Sequence, residues 1–150
     1  MTGQAASFDP LEMTPEQFAS LVAGASDEQI EEGIRTVGTE QSLERIFEGF
    51  PPRFQPDKTQ GVTADIQWVV TDQGQEHPHV VSIADGACTT RPGRSDSPKV
   101  TLTVALVPFA KLVTGQANGM QMFMTGRLKV SGDLMFAPRI MGFFEPPRPG

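Results

Sequence analysis

The sequence predicts an α+β domain in which helices cover one face of a largely antiparallel β-sheet. Three observations predict it. The first fifty residues are punctuated as short amphipathic helices. From Val62 onward the apolar period changes from helical to two. The strands after that change are apolar only at alternate positions, the mark of a sheet with one wet face.

In the first third, Thr14 with Pro15 and Gln17 reads as a capping box with proline at the first helical position, ahead of Phe18, Leu21 and Val22. Ser26 and Gln29 repeat the box before Ile30, Ile34 and Val37. A third helix starts near Thr39, carries Leu43, Ile46, Phe47 and Phe50 on one stripe, and stops at Pro51-Pro52. In VTADIQWVVTD, Val62, Ala64, Ile66, Trp68 and Val70 point one way, while Thr63, Asp65, Gln67 and Thr71 point the other, with Val69 as the exception. HVVSIADGACTTR reads as two short strands joined at Asp85-Gly86, the first linked back to the Trp68 strand by a DQGQEHP loop. KVTLTVAL and RLKVS keep the same parity, through Val100, Leu102, Val104 and Leu106 and through Leu128 and Val130. Pro108 opens a helix that Gly115 ends, a short helix runs from Asn118 to about Met124, and Asp133 caps a last segment that Pro138 should bend or break. FPPRFQPDKTQG and RPGRSDSPK have linker composition.

Composition narrows the chemistry. A chain of 150 residues can bury a core without staples, and its single cysteine, Cys88, excludes an internal disulfide and any multi-cysteine metal site. No stretch is long and apolar enough for a spanning helix, and a soluble, cytoplasmic protein is expected. Charge is uneven: residues 1–50 hold ten acids and two bases, and the remainder eight acids and ten bases. A net charge of −6 without a basic stripe speaks against nucleic acid as a partner.

Catalysis has no visible carrier in the sequence. No nucleophile elbow, phosphate-cradling loop or dinucleotide fingerprint is present. Asp65, Asp72, Asp85 and Asp133 fall on a polar strand face, in turns or at a cap. His77 and His79 flank Pro78 and read as a surface hairpin loop; with only Cys88 as a distant third ligand they make no metal site. Neither a metal nor another cofactor is implied, and the protein is expected not to be an enzyme.

The concentrated signal lies elsewhere. Met120, Met122, Met124, Met135 and Met141 crowd into 22 residues beside Phe123, Phe136, Phe143 and Phe144. Methionine is flexible and polarizable, and it lines sites that repack around ligands of varying shape; it also fills ordinary cores, so composition leaves both readings open.

The order of motifs adds to this. From Ile46 onward the chain resembles the sterol carrier protein type 2 family. VTADIQWVVTD is similar to that family's first strand. PFAKLVTGQANGMQMFMTGRLKVSGDLMFAPRI is similar to its signature half: an F-x-x-L-x-x-G helix, an N-x-x-x-x-F-x-x-G turn, a basic strand and a G-[DN]-[LIM]-M-x-x-x-[RK]-[LI] helix. The resemblance implies a five-stranded, mostly antiparallel sheet with helices on one face, enclosing an apolar tunnel for sterols, fatty acids or acyl-CoAs. It implies a division into residues 1–40, an acidic helical extension packed on the domain, and residues 41–150, the lipid-binding domain.

Carried over by position, Trp68 matches the inward strand aromatic, Phe109 and Leu112 the tunnel-side helix, and Phe123 the phenylalanine before Thr-Gly. Leu128, Leu134, Met135 and Ile140 match the strand and last helix that close the tunnel. Phe50, Ile66, Met120, Met124, Val130 and Met141 complete the lining so implied. Met120 and Pro138 stand where some members carry glutamine, which favours a more apolar pocket, and the acidic front differs from the animal proteins, so a bacterial-type stand-alone member is the better fit. The function implied is non-catalytic binding and transfer of a lipid, with transient membrane contact. The alternative is an accessory module that delivers acyl or sterol substrates to a partner enzyme.

Overall fold

A computed structural model of the chain describes residues 15–51, 54–59 and 61–143. The capping box at Thr14 and the ring of Phe144 lie outside the described residues. Six helices and five strands follow in the order α1 (Pro15–Gly24), α2 (Asp27–Val37), α3 (Thr39–Glu48), β1 (Ala64–Asp72), β2 (Gln75–Ala84), β3 (Ala87–Pro92), β4 (Val100–Ala105), α4 (Leu106–Val113), α5 (Gly119–Met124), β5 (Leu128–Gly132) and α6 (Ala137–Ile140).

The second capping box forms as read. Ser26 Oγ accepts from the Gln29 amide, and Gln29 Oε1 accepts from the Ser26 amide at 2.9 Å. At the other end of the chain, Thr114 caps α4 and Gly115 follows at φ +79°, the left-handed residue that ends a helix. The helix starts two residues earlier than Pro108 suggests, at Leu106, which leaves proline inside the first turn, where its missing N–H costs nothing.

The five strands form one sheet in the order β3-β2-β1-β4-β5. Three of its pairings are antiparallel, and β1 and β4 are parallel. Because β3 and β4 both run with β1, the segment between them must cross back over the sheet. It does so on the face away from the helices. Gln67 is the residue that receives it: its Nε2 donates to the carbonyls of Gly93 and His79, and its Oε1 accepts from the Ser95 amide at 2.7 Å. Further along, Ser95 and Ser82 donate to the Asp65 carboxylate, each at 2.7 Å, and these bonds hold it below the usual carboxylate range. Gln67 is therefore buried, not solvated as its parity suggests, and Val69 and Val80 are buried on the same face.

The helices lie on the other face. Packed between them and the sheet are Ile30 and Ile34 of α2, Leu43, Ile46 and Phe47 of α3, and Leu106, Phe109 and Leu112 of α4, against Ile66, Trp68 and Val70 of β1. Asp72, at the end of β1, ties the front helices to the sheet. Arg35 grips both carboxylate oxygens, with Nε at 3.2 Å, and Thr39 Oγ1 adds a third bond at 3.3 Å.

The histidines are not in a surface loop. A two-residue turn with positive φ at both Gln73 and Gly74 joins β1 directly to β2, so the expected loop is strand and Val70 faces His77. Pro78 is tolerated because β3 ends opposite His79: the Pro78 carbonyl, on that side, is taken by the Gly93 amide, and no ladder donor is missing. His77 pairs with Glu40. His79 stacks on Phe47 with centroids 4.4 Å apart, and neither of its ring nitrogens makes a hydrogen bond among the described residues.

Burial holds the His79 imidazole below its ordinary value of 6.5, although Glu40 and Glu44 of α3 pull the other way. Unfolded, His79 takes up its proton near the ordinary value. Below that pH the unfolded state binds more protons, so stability falls as the pH drops through about 6.5. The depressed carboxylates Asp65 and Asp72 act in the same direction, but only below their ordinary value of 3.8. His79→Phe should keep the stack, remove the upper of the two slopes and raise stability at neutral pH by about 1 kcal/mol. Urea midpoints compared between pH 7.5 and 5 check this.

Candidate functional site

An apolar groove opens at the β5 side of the molecule. Its local geometry starts with Asn118, whose Oδ1 accepts from the Gln121 amide and caps the six-residue helix α5. That short turn divides its methionines and phenylalanine by direction: Met122 enters the core, while Met120 and Phe123 face the groove. Gly126, at φ +80°, reverses the chain, and the Arg127 amide returns to the Met122 carbonyl at 2.8 Å.

β5 then pairs with β4, Leu128 opposite Val104 and Val130 opposite Leu102. At its end Gly132 has φ +100°, and a Cβ there would meet the Lys99 carbonyl oxygen at 2.6 Å, so this position requires glycine. Asp133 makes the next turn by accepting from the amides of Met135 and Phe136. Lys99 and these amides hold its carboxyl below the usual range. The turn sends Phe136 into the core and leaves Leu134 and Met135 outside it.

The result is a cavity of about 440 Å³. Leu102, Leu128 and Val130 form its sheet wall, Met120 and Phe123 its α5 wall, and Leu134 and Ala137 the third side; Asn118 and Gly119 complete the lining. The volume falls within the ordinary range of about 300–1,000 Å³ for small-molecule sites. The lining carries no charged or nucleophilic side chain, and the Asn118 oxygen is engaged by the α5 cap. Such a surface attracts apolar matter by removing it from water and offers no acid, base or nucleophile.

The residues expected to share one tunnel divide into groups. Met120, Phe123, Leu128, Val130 and Leu134 line the groove. Phe50, Ile66, Trp68, Phe109, Leu112 and Ile140 are buried in the packed core beside it. Trp68 lies 5.4 Å from Phe109 and 6.4 Å from Phe50, edge to face. Met124 and Met135 are exposed and outside the lining, and Met141 falls in a 3-10 turn, Met141–Phe143, its side chain outside the described atoms. Leu102, Asn118, Gly119 and Ala137 were missed. The parity of β4 marks Leu102 as inward, but only its register opposite Val130 places it in the groove. Cys88 is partly buried on β3, and burial pushes its thiol up to about 11, which keeps it protonated and a poor nucleophile at neutral pH. No group of three or more metal-ligating side chains occurs among the described residues.

Fold and groove together define a single-sheet α+β domain with its helices on one face and an apolar recess at the sheet's edge. The chain belongs to the SCP-2 sterol transfer family, whose model matches residues 43–145. An oleate-induced peroxisomal protein of Candida maltosa, POX18, is 34% identical over 80 residues, and a fatty acid-binding protein of Yarrowia lipolytica is 44% identical over 46. These matches take in 51% and 31% of this chain, and they span 63% and 36% of the two relatives.

Among solved structures, the palmitated SCP2L2 of Aedes aegypti shares the fold at a TM-score of 0.58 and 20% identity, over 72% of this chain and 98% of that one. The sec-alkylsulfatase Pisa1 of a Pseudomonas species shares it at 0.62 and 18%, over 76% of this chain and 17% of that one. No helix among the described residues is long and apolar enough to cross a membrane.

Trp68 is the only tryptophan and is 1% exposed, outside the groove. Its emission should be blue-shifted and poorly quenched by acrylamide, and it should move little when a ligand fills the groove. A large shift on binding would place the ligand among the core aromatics instead.

Proposed function

We propose that the protein is a non-catalytic carrier that holds the hydrocarbon chain of a fatty acid or fatty acyl ester in the groove beside β5, in the cytoplasm. The observation that carries this reading is the uncharged, nine-residue lining of a 440 Å³ cavity. Membership of a sterol transfer family and the likeness to a fatty acid-binding protein support it. A linear chain suits the site better than a sterol: the recess lies along a strand, the flexible thioether of Met120 forms part of its wall, and the oxygen of its one polar side chain, Asn118, is occupied by a helix cap.

Burying a methylene is worth about 0.8 kcal/mol, so a sixteen-carbon tail gains on the order of 12 kcal/mol gross when fully covered, before ordering costs. Partial cover lowers that figure. A bilayer offers a similar gain, so exchange between membrane and groove stays close to balance, and a carrier can both load and release.

A fluorescent long-chain fatty acid should bind and be displaced by unlabelled fatty acid. Met120→Trp adds volume to a half-exposed side chain that faces the recess, so it should weaken binding about tenfold or more while shifting stability by less than about 0.5 kcal/mol. Unchanged affinity in a folded variant would count against the groove as the site.

A further inference from the structure

The groove holds two groups that carriage of a plain hydrocarbon chain does not use. Asn118 and Met120, the cap and an early residue of α5, both line the cavity. The cap fixes which way the Asn118 amide points. Its Oδ1 accepts from the Gln121 amide, so Nδ2 is left with both its N–H donors, and neither makes a hydrogen bond among the described residues. Met120 supplies the sulfur of the lining, whose other side chains are hydrocarbon. Its neighbours in sequence sit at different depths. Met122 is 5% exposed in the core and Met120 52% in the recess, while Met124 at 77% and Met135 at 86% stand on the rim, directly after Phe123 and Leu134, and do not line the cavity.

The geometry points to Met120 as a site of oxidation by a hydroperoxide carried on an acyl chain in the groove. A fatty hydroperoxide keeps the apolar chain that the walls accept and adds one O–O–H group, which needs a hydrogen-bond partner once it leaves water. Asn118 Nδ2 offers the donor, and the Met120 sulfur faces the same recess. A thioether is inert toward the carbonyl and ester groups of lipids, but its polarizable sulfur takes oxygen from a weak O–O bond. The terminal oxygen passes to sulfur, so the S–O bond forms as the O–O bond breaks. The electron pair of the broken bond stays on the oxygen attached to the chain; that oxygen takes the proton of the terminal hydroxyl and leaves as the hydroxy fatty acid. Asn118 Nδ2 donates to it as its charge develops. The thioether is oxidised to the sulfoxide and the hydroperoxide is reduced to the alcohol, and the step balances with no other reactant. A sulfoxide puts a polar group into an apolar wall and weakens its hold on the chain until a methionine sulfoxide reductase restores the thioether. The inference rests on the reading of the groove as a lipid-chain site and adds a ligand class that alters it.

The full-length protein treated with linoleic acid hydroperoxide, and in parallel with hydrogen peroxide at the same concentration, tests it, with peptide mass spectrometry reading the sulfoxide at each methionine. Hydrogen peroxide needs no groove, so it should oxidise Met135 and Met124 ahead of Met120, and Met122 last, in the order of their exposure. With the lipid hydroperoxide the rate at Met120 relative to Met135 should rise at least about tenfold, because the bound chain holds its oxidant beside one sulfur. Excess palmitate should suppress the lipid-driven oxidation of Met120 and leave that of Met135 unchanged. Asn118→Asp keeps the acceptor of the cap and removes the donor, so at saturating lipid hydroperoxide it should lower the Met120-to-Met135 ratio. A ratio equal for the two oxidants, in protein that binds a displaceable fluorescent fatty acid, overturns the inference and leaves the carrier standing. No displaceable binding of the fluorescent fatty acid overturns both.

Discussion

The ring of Phe47 is the contact on which the arrangement of helices over the sheet depends. It is buried at the centre of the helix–sheet interface and meets Phe50, Trp68, His79 and Phe109 at centroid distances between 4.4 and 6.3 Å. Those partners come from the turn after α3, from β1, from β2 and from α4, so one side chain sets the spacing of four segments. An aromatic cluster of this kind adds edge-to-face and stacked contacts to its burial and leaves little room for repacking. Its cost is also visible: His79 is held as the flat partner of Phe47 although neither ring nitrogen makes a hydrogen bond among the described residues.

A core filled with rings under β1 has a consequence for where a ligand could go. Trp68, Phe109 and Phe50 occupy the middle of the helix–sheet sandwich, and the free apolar space is displaced to the side of the sheet where β5 is the last strand. There the cover is thin: a six-residue helix on one side, a turn built on Asp133 on the other. Short elements with few partners are the parts of a fold that open most easily, and a carrier that must admit and release its cargo uses that property.

Much of this was legible in the sequence because it is written locally. The Ser26–Gln29 box, the Asn118 cap, Gly115 at a helix end and the alternation through Ile66, Trp68 and Val70 each follow from a few neighbouring residues. What was not legible depends on partners far along the chain. A period of two is the same in parallel and antiparallel pairing, so the parallel match of β1 with β4, and the crossover that buries Gln67, left no mark. Proline and two histidines disguised the middle of β2, because the sequence does not show that β3 ends opposite His79. The methionines were recognised as unusual, but residue type does not separate Met122 in the core from Met120 in the groove and Met124 on the rim. That division is set by one turn of α5 and by β5 being the last strand on its side of the sheet among the described residues.

The central claim is that a lipid chain lies in the recess between α5 and β5 and not among the core rings. Isotope-filtered nuclear Overhauser spectra of the protein with a carbon-13-labelled long-chain fatty acid measure this directly. The account predicts contacts from the acyl chain to the methyl groups of Leu102, Leu128, Val130 and Leu134 and to the ring of Phe123, with none to Trp68 or Phe109. Contacts to Trp68 and Phe109, without contacts to Val130 and Leu134, would contradict it.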